Sequence, residues 1–312
     1  HALIGVLALS MVDFPRRESP GDSGMKAFWR NNVLGINRRN VEYVFALNPR
    51  KRFPLADDKV KSKSLLQGAG LPVPRTFAIA RERSEIRQTL QTLESEEAFV
   101  VKPARGFGGQ GVLLLRRHNG AWRTPSGKNI HPDELIFHMA GILSGMFSLD
   151  HLMDHVLVEE RLQELPLLSE LHGGRGVSDI RVILARSKPV MAMLRLPSKK
   201  SGGSANLHQG GVGVGIDMKT GQTTFSFFDS SPIESHPDSR MPLAGVSIPH
   251  WPRILDICRP INQIFGMDYL GVDVVLDAQR GPVILEVNVR PGLAVQLANR
   301  MGLRASLETE VT

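Results

Sequence analysis

The chain has few of the features that mark the more specialised classes of protein. Cys258 is its only cysteine, which excludes a disulfide scaffold. With 42% hydrophobic and 22% charged residues, it is not disordered as a whole, because a disordered chain has fewer apolar residues and less balanced charge. Its 30 glycines and 20 prolines follow no period, which excludes collagen and low-complexity sequence. A chain of 312 residues is therefore expected to fold as a globular protein of two or three packed lobes.

Long apolar runs are also missing. The longest uncharged one, Ala2–Val12, is far shorter than the roughly 20 residues that a membrane helix needs. A signal-peptide core is one interpretation of it, but no basic residue precedes it and the chain begins with His1. We favour an artefact over residues 1–10, with Met11 or Met25 as the true start. With a single thiol and no convincing signal, the predicted compartment is the cytoplasm.

The net charge of +7 favours acidic partners. Basic residues concentrate between Phe14 and Arg52, where they are interleaved with aromatic residues such as Trp29 and Tyr43. This pattern can indicate nucleic-acid binding, but no zinc-finger spacing, RNP-like run or internal repeat supports it. We expect residues 1–56 to form a helical lead-in with a solvated basic face and no nucleic acid as a partner. Contact with an acidic substrate is the alternative.

Hydrophobic patterning mixes helices and strands without regular βαβ alternation, so we predict an α+β fold in lobes. Helices are predicted from Asp57 or Asp58 to Gln67, from a Ser84 cap to Leu93, and over 132–149 and 251–265. Strands are predicted over 76–80, 98–102, 112–116, 156–159, 180–185, 190–196, 212–217 and 223–228, and as a hairpin of 272–277 with 283–288.

Residues 106–111 read GFGGQG and match the dinucleotide-binding pattern G-x-G-x-x-G. That interpretation requires a helix after the glycines, whereas Val112–Leu115 predicts a strand. A strand–glycine loop–strand unit instead predicts a flap whose backbone N–H groups face a triphosphate. Lys102, which ends the first strand, is placed to meet phosphate oxygens. Protein kinases share such a flap, but no HRD or DFG triplet occurs here. A plain hairpin with an exposed lysine is the remaining alternative.

The most informative stretch is GVDVVLD-AQRGP-VILEVN, residues 271–288. If Asp277 pairs with Pro282, Asp273 lies opposite Glu286, and alternation places Asn288 on the same face. Opposed carboxylates destabilise a sheet, and a divalent cation between them would remove that cost. Hard oxygen ligands of this kind suit Mg²⁺ bridging to phosphate. The pattern therefore predicts a metal site, with an exposed polar face on an edge hairpin as the alternative.

Together these stretches resemble the ATP-grasp superfamily of carboxylate–amine ligases. Within it the sequence is similar to the α-L-glutamate ligase-like branch, and GINRRN and NVRPGL resemble the sugar-transfer-associated ATP-grasp subgroup. The other matching stretches are, in order, DDKVKSKSLLQGAGLPVP, FVVKPARGFGGQG, VLVEERL, SDIRVIL, MLRLPS, ANLHQGG, GVDVVLD and ILEVNVRPGL. The resemblance implies two α+β lobes that clamp ATP, preceded by a short basic region. The implied divisions are 1–56, 57–97, 98–160, 161–305 and a tail of 306–312.

The resemblance also implies roles in binding the triphosphate. Lys59 and Lys102 would contact the α- and β-phosphates, although from spacing alone Lys59 fits a solvated helix face, together with Lys61 and Lys63, nearly as well. The flap would contribute its four glycines: Gly106, Gly108, Gly109 and Gly111.

For adenosine, the resemblance implies that Glu159–Leu162 form the hinge between the lobes. Glu160 would lie beside the adenine amine, the backbone near Arg161 and Leu162 would read the adenine edge, and Asp179 would lie near the ribose. A charged strand end is the alternative for this segment.

At the reaction centre, the resemblance implies that Arg181 and Arg195 face the transferred phosphoryl group and that Asn206 lines the site. An anionic partner for Arg195 is also expected because it ends a core-like strand. Two Mg²⁺ ions, with Mn²⁺ able to substitute, would be held by Asp273, Glu286 and Asn288.

The resulting hypothesis is an ATP-dependent ligase that activates an amino-acid carboxylate, with glutamate favoured, and joins it to a peptide or small amine. The expected substrate is an acidic amino acid or peptide. A non-catalytic ATP-binding partner in a larger assembly is the second hypothesis, and peripheral association with a membrane assembly stays open, as does the oligomeric state. His208 is a weaker catalytic candidate, and Cys258 is expected in the core.

Overall fold

A computed structural model describes residues 32–106, 108–148 and 152–311 of the chain. The predictions about the start of the chain and about the basic residues before Asn32 lie outside these ranges. Within them, two antiparallel sheets are joined by helices, so the predicted α+β class is confirmed.

Helices lie before, between and after the strands. A first helix, α1 (Ile36–Arg38), continues as a π-helical segment, Arg39–Phe45. The later α-helices are α2 (Phe53–Asp57), α3 (Lys59–Gly68), α4 (Ile86–Leu93), α5 (Pro132–Leu143), α6 (Pro166–His172), α7 (Trp251–Cys258), α8 (Ile261–Phe265), α9 (Val295–Asn299) and α10 (Leu303–Val311). Short 3₁₀ turns cover Arg50–Arg52, Arg83–Glu85 and Leu207–Gln209.

The strands form one sheet of six and one of seven. The six-stranded sheet has the order β1-β6-β2-β3-β4-β5, and the seven-stranded sheet has the order β11-β10-β9-β8-β7-β12-β13. Their bounds are β1 (Thr76–Ala80), β2 (Ala98–Pro103), β3 (Leu113–His118), β4 (Ala121–Arg123), β5 (Asn129–Ile130), β6 (Val156–Glu160), β7 (Asp179–Ala185), β8 (Lys188–Leu196), β9 (Val212–Ile216), β10 (Thr223–Phe228), β11 (Ser231–Ile233), β12 (Tyr269–Asp277) and β13 (Gly281–Asn288). Every predicted strand is present, while β4, β5 and β11 were not predicted.

The six-stranded sheet and helices α4 and α5 make up the small lobe. Alternation along β2 turns Phe99 and Val101 into a core that also contains Leu135 and Met139 of α5. Val100 and Lys102 therefore lie on the opposite face of β2, toward the rest of the molecule.

The seven-stranded sheet forms the large lobe. Its central strands β7, β8, β9 and β12 are mostly buried, and every residue of β12 is buried. The edge strand β11 is largely exposed. Leu34, Tyr43, Val44 and Phe53 belong to the same buried cluster as this sheet. The described residues of the predicted lead-in are largely helical, and its apolar side chains are part of the large-lobe core. The division at residue 56 stays a prediction.

Two helix predictions are wrong at one end, and a third is wrong about continuity. Glu82, not Ser84, caps the turn before α4, because Glu82 and Glu85 satisfy each other's backbone N–H groups. Helix α5 ends at Leu143, before Gly145, whose φ of 81° fits a glycine at the helix end. The predicted helix 251–265 is two helices, because the ring of Pro260 prevents a continuous one.

In the hairpin of β12 and β13, Asp273 and Glu286 face each other as predicted, but the pairing at the turn differs from the prediction. Asp277 pairs with Gly281, one residue earlier than the predicted Pro282. An irregularity between Asp273 and Val274 then shifts the register by one residue. The two offsets cancel, and Asp273 lies directly opposite Glu286.

Candidate active site

Four charged side chains meet on neighbouring strands of the large sheet. Arg181 on β7 is paired with Asp273 on β12, and Asp179 on β7 is paired with Arg195 on β8. Arg181 donates from Nε and Nη2 to the two carboxylate oxygens of Asp273, at 2.7 and 2.6 Å. Arg195 bridges the carboxylates, donating from Nη2 to Asp273 at 2.8 Å and from Nε to Asp179 at 2.6 Å. We call these four residues the arginine cluster.

The arginine cluster separates the proton affinities of its two carboxylates. Burial raises the pKa of Asp179 to about 6, with the charge of Asp273 acting in the same direction and Arg195 against it. For Asp273, burial is outweighed by Arg181 and Arg195, which lower its pKa to about 2. The two carboxylates in turn raise the pKa of Arg195 despite its burial. Asp273 therefore remains ionised, and Asp179 is the carboxylate that protonates first.

Protein cations offset the repulsion expected between the opposed carboxylates. Asp273 is held by the two arginines, and Glu286 Oε1 lies 3.2 Å from Lys59 Nζ. Asn288 Nδ2 donates to Asp273 Oδ2 at 3.2 Å, so the three predicted metal ligands are neighbours.

These three residues fit Mg²⁺ chemically, because they offer two carboxylates and an amide and the Glu286 side chain is 33% exposed. Within the described ranges, no group of three or more His, Cys, Asp and Glu side chains could hold a metal ion. The metal site stays a prediction.

The glycine loop joins two paired strands, β2 and β3, as the flap interpretation requires. Gly108, Gly109 and Gly111 have φ values of 63°, 79° and 72°, which favour glycine. At Gly111 a Cβ would also lie 2.6 Å from the Phe147 ring, and at Gly106 it would lie 2.2 Å from Pro103. The loop therefore needs its glycines for its own conformation and packing, beside any contact with phosphate.

Side chains on two sides hold the flap. Lys59 Nζ donates to the carbonyl oxygen of Gly106 at 2.9 Å. On the other side, the loop after β8 supplies two amides to one carbonyl: Asn206 Nδ2 and Gln209 Nε2 donate to Gly108 O at 3.2 and 2.9 Å. Asn206 thus lies against the flap, while His208 between the two amides is exposed. Gln209 was missed, although it lies three residues after Asn206 in a glycine-rich loop.

A second charged group is buried beside the flap. Glu159 on β6 is 2% exposed, and its two carboxylate oxygens contact the ammonium groups of Lys63 and Lys102. We call Lys63, Lys102 and Glu159 the lysine cluster. The alternative of a solvated helix face for Lys59, Lys61 and Lys63 fails at Lys63, which is 7% exposed. Its spacing of four residues from Lys59 could have indicated it, because i and i+4 share a helix face.

A crevice runs between the lobes at the lysine cluster. Lys59, Lys63 and Lys102 line it together with apolar side chains such as Val73 and Leu157, and Glu286 lies at the same place. Lys59 and Lys63 are presented to the crevice by α3. Asp58 caps this helix by accepting from Val60 N and Lys61 N, so the helix begins at Lys59.

The predicted hinge lies at the end of β6. Glu160 accepts hydrogen bonds from the backbone N of Arg75, at 2.6 Å, and from the guanidinium of Arg280. Leu162 packs with Val275 and Val283 of the large lobe, so this segment does connect the lobes. The adenine contacts of Glu160, Arg161 and Leu162, and the ribose contact of Asp179, stay predictions.

Two further predictions concern Cys258 and membrane-spanning helices. Cys258 is fully buried on α7, as predicted, and burial raises the pKa of its thiol. Among the helices described, none has the length and apolar character needed to cross a bilayer.

The sequence and the fold were compared with known proteins. A family model described as sugar-transfer associated ATP-grasp matches residues 38–310. A "Probable alpha-L-glutamate ligase" of Citrobacter koseri and a "Ribosomal protein bS6--L-glutamate ligase" of Salmonella paratyphi B are each 26% identical over 264 residues, which cover 82% of this chain and 66% of theirs. The chain thus spans slightly less than two thirds of the length of these relatives.

Among solved structures, D-alanyl-alanine synthetase A from Vibrio cholerae matches with a TM-score of 0.50 at 12% identity. The match covers 84% of this chain and 62% of that one. At this identity the likeness concerns the fold alone, and it agrees with two lobes built on antiparallel sheets.

Proposed function

Because the chain belongs to the sugar-transfer associated ATP-grasp family, we propose that it is an ATP-dependent carboxylate–amine ligase that forms an amide bond through an acyl phosphate. The observation that carries the proposal is the position of the opposed pair Asp273 and Glu286. It lies beside Arg195 and beside the crevice lined by Lys59 and Lys102. Carboxylates, arginines and lysines at one place suit the transfer of a phosphoryl group from ATP.

The proposed reaction has two steps. A substrate carboxylate oxygen attacks the γ-phosphorus of ATP, the bond to the β–γ bridging oxygen breaks, and ADP is formed. The resulting acyl phosphate has phosphate as its leaving group, whereas a carboxylate would have to expel oxide. An amine then attacks the acyl carbon, the carbon–oxygen bond to phosphate breaks, and the nitrogen releases a proton as the amide forms.

The chain's own residues would contribute position and charge. Lys102 and Lys59 would bind the α- and β-phosphates as point charges. Arg195 and Arg181 would face the transferred phosphoryl group and then the oxyanion formed when the amine attacks. The flap, held by Asn206, would keep water from the acyl phosphate, which otherwise hydrolyses.

Asp273, Glu286 and Asn288 would hold Mg²⁺, which when bound neutralises the charge of the phosphates. Because Asp273 is already paired with two arginines, we expect the ion to bind with the nucleotide and not before it.

Glutamate is the proposed carboxylate substrate, with another amino acid or an acidic peptide as the wider class. The support is the pair of curated relatives, which are both named as glutamate ligases. The proposal leaves the amine acceptor as a peptide or small amine.

Hydroxylamine offers a test that needs no knowledge of the acceptor, since it traps acyl phosphates as hydroxamates. We expect a hydroxamate and ADP to form in equal amounts with ATP, Mg²⁺ and glutamate, and neither to form with EDTA. Replacing glutamate with other amino acids and acidic peptides would identify the carboxylate that is activated.

The control is Glu286→Gln, which keeps the shape of the side chain and removes one predicted metal ligand. It should lose Mg²⁺-dependent hydroxamate formation by about tenfold or more, the lower end of the cost of weakening a metal site. Tight ATP binding without hydroxamate from any carboxylate would contradict the ligase and favour a non-catalytic nucleotide-binding partner.

A further inference from the structure

The lysine cluster brings two cations and one anion into a nearly dry place. Lys63, Lys102 and Glu159 are 7%, 6% and 2% exposed. Lys102 is paired across the sheet with Leu157, two residues before Glu159, so both charged side chains lie on the same face of the small-lobe sheet. Lys63 reaches the same carboxylate from α3. Glu159 therefore binds one lysine with each of its oxygens.

The charges of this cluster do not balance. Two ammonium groups against one carboxylate leave a net charge of +1. Glu286, the carboxylate that lines the crevice, is paired with Lys59. Burial lowers the pKa of Lys63, while Lys102 and Lys63 bring the pKa of Glu159 below its usual value although its burial acts to raise it. Because an uncompensated buried charge is costly, this net charge favours an anion at the crevice.

The arrangement of the three groups raises a problem for a lysine that must bind phosphate. If Lys102 were the only partner of Glu159, its turn toward a phosphate would leave a buried carboxylate unpaired, which costs far more than a lost surface contact. Lys63 removes this difficulty, because it holds the second oxygen of Glu159 from a separate helix.

We propose that Lys63 is a positioning residue that keeps Glu159 paired, so that Lys102 can turn from Glu159 to the phosphates of the nucleotide. The inference rests on the proposed function, since it assumes that Lys102 binds ATP. It assigns to Lys63 a role exerted through Glu159, without contact between Lys63 and the nucleotide.

The test is binding of the non-hydrolysable analogue AMPPNP with Mg²⁺ by calorimetry, together with the thermal midpoint of the free protein. Lys63→Met should weaken binding by on the order of tenfold, because Lys102 must then stay with Glu159. The thermal midpoint should be unchanged or higher, because the remaining pair is neutral. Lys63→Arg should retain binding. The control is Lys61→Met on the exposed side of the same helix, which should bind as the wild type does.

The double variant Lys63→Met/Glu159→Gln distinguishes positioning from direct contact. With the carboxylate removed, Lys102 is free again, and we expect binding to recover to within a few-fold of the wild type. If the double variant binds as weakly as Lys63→Met or more weakly, Lys63 contacts the nucleotide itself and the inference is overturned. Unchanged binding by Lys63→Met, or a lowered thermal midpoint with unchanged binding, would also overturn it. Failure of the wild type to bind AMPPNP would instead defeat the proposed function, and this inference with it.

Discussion

The two buried charge clusters of this protein differ in how far their own side chains balance their charge. The arginine cluster contains two cations and two anions on adjacent strands of one sheet, and its charges cancel. The lysine cluster contains two cations and one anion drawn from a sheet and a separate helix, and it keeps a net charge of +1. The first is balanced by its own side chains, whereas the second carries one more cation than anions.

The difference follows from where the side chains originate. Neighbouring strands fix Arg181, Arg195, Asp179 and Asp273 at sheet spacing, and guanidinium groups match carboxylates with two hydrogen bonds. Ammonium groups act as point charges on flexible stems, so Lys102 can exchange one partner for another. If the proposed function is correct, the arginine cluster is a rigid group at the reaction centre and the lysine cluster is an adjustable one where the nucleotide would bind.

Asp273→Asn should have the largest effect, because it gives the arginine cluster the same net charge of +1 as the lysine cluster. Removing one partner of a buried ion pair typically costs about 3–5 kcal/mol, and we expect a loss of that order in the free energy of unfolding. Hydroxamate formation should fall by at least about 100-fold, since the arginines lose their fixed geometry and a metal ligand is lost. Urea unfolding and the hydroxamate assay measure the two effects.

The matched control for Asp273→Asn is Asp256→Asn. Asp256 is 64% exposed in its pair with Arg259, so its loss should change stability by no more than about 0.5 kcal/mol. Equal stabilities of the two variants would refute the view that the arginine cluster supports the fold.

A smaller effect is expected in the pH dependence of stability, through Asp179 of the arginine cluster. The pKa of Asp179 is raised to about 6, above its value in the unfolded chain, so the folded protein holds the proton more tightly. Its contribution to stability is then present at low pH and is lost as the pH rises through about 6.

Asp179→Asn cannot titrate there. We expect the stability of the wild type relative to this variant to rise as the pH falls from 7 to 5, by no more than about 1.4 kcal/mol per pH unit. Urea unfolding at pH 7, 6 and 5 would show it, and a constant difference between the two proteins would contradict the assignment.

The smallest expected effect concerns the glycine flap, which lies beside the lysine cluster. Gln209→Ala removes one of the two amides that hold Gly108 O, and a hydrogen bond of this kind contributes about 0.5–1.5 kcal/mol. We expect more ADP to form for each hydroxamate, by about two- to tenfold, because a looser flap admits water. His208→Ala changes the exposed neighbour and should keep the wild-type ratio. Identical ratios in both variants would show that the amide does not hold the flap.

The hairpin shows what the local sequence pattern can predict and what it misses. Alternation along two strands and a short turn predicted a hairpin with Asp273 and Glu286 on neighbouring strands, because strand period and turn length depend on nearby residues. The pairing at the turn was wrong by one residue, and a register shift at Asp273 restored the predicted partner. A bulge leaves little trace in the hydrophobic pattern, so its position could not be predicted.

Lys63 shows the opposite case. Its helix was predicted, with Asp58 as one of two possible caps, and the spacing of four residues places Lys63 on the same helix face as Lys59. The pattern KVKSKS does not show that this face is buried. Burial depends on Glu159, which is 96 residues away in the chain and on a different element. The same holds for Gln209, whose partner Gly108 lies 101 residues away.

Spacing between residues that are close in the chain was enough to predict most of the strands, the glycine flap and a hairpin that carries Asp273 and Glu286. Which charges are neighbours depends on the tertiary fold: two arginines hold Asp273, Lys63 shares Glu159 with Lys102, and amides from the large lobe hold the flap. Charge pairing across a fold depends on distances in space and on exclusion of water, and neither is contained in the order of residues along a strand or helix.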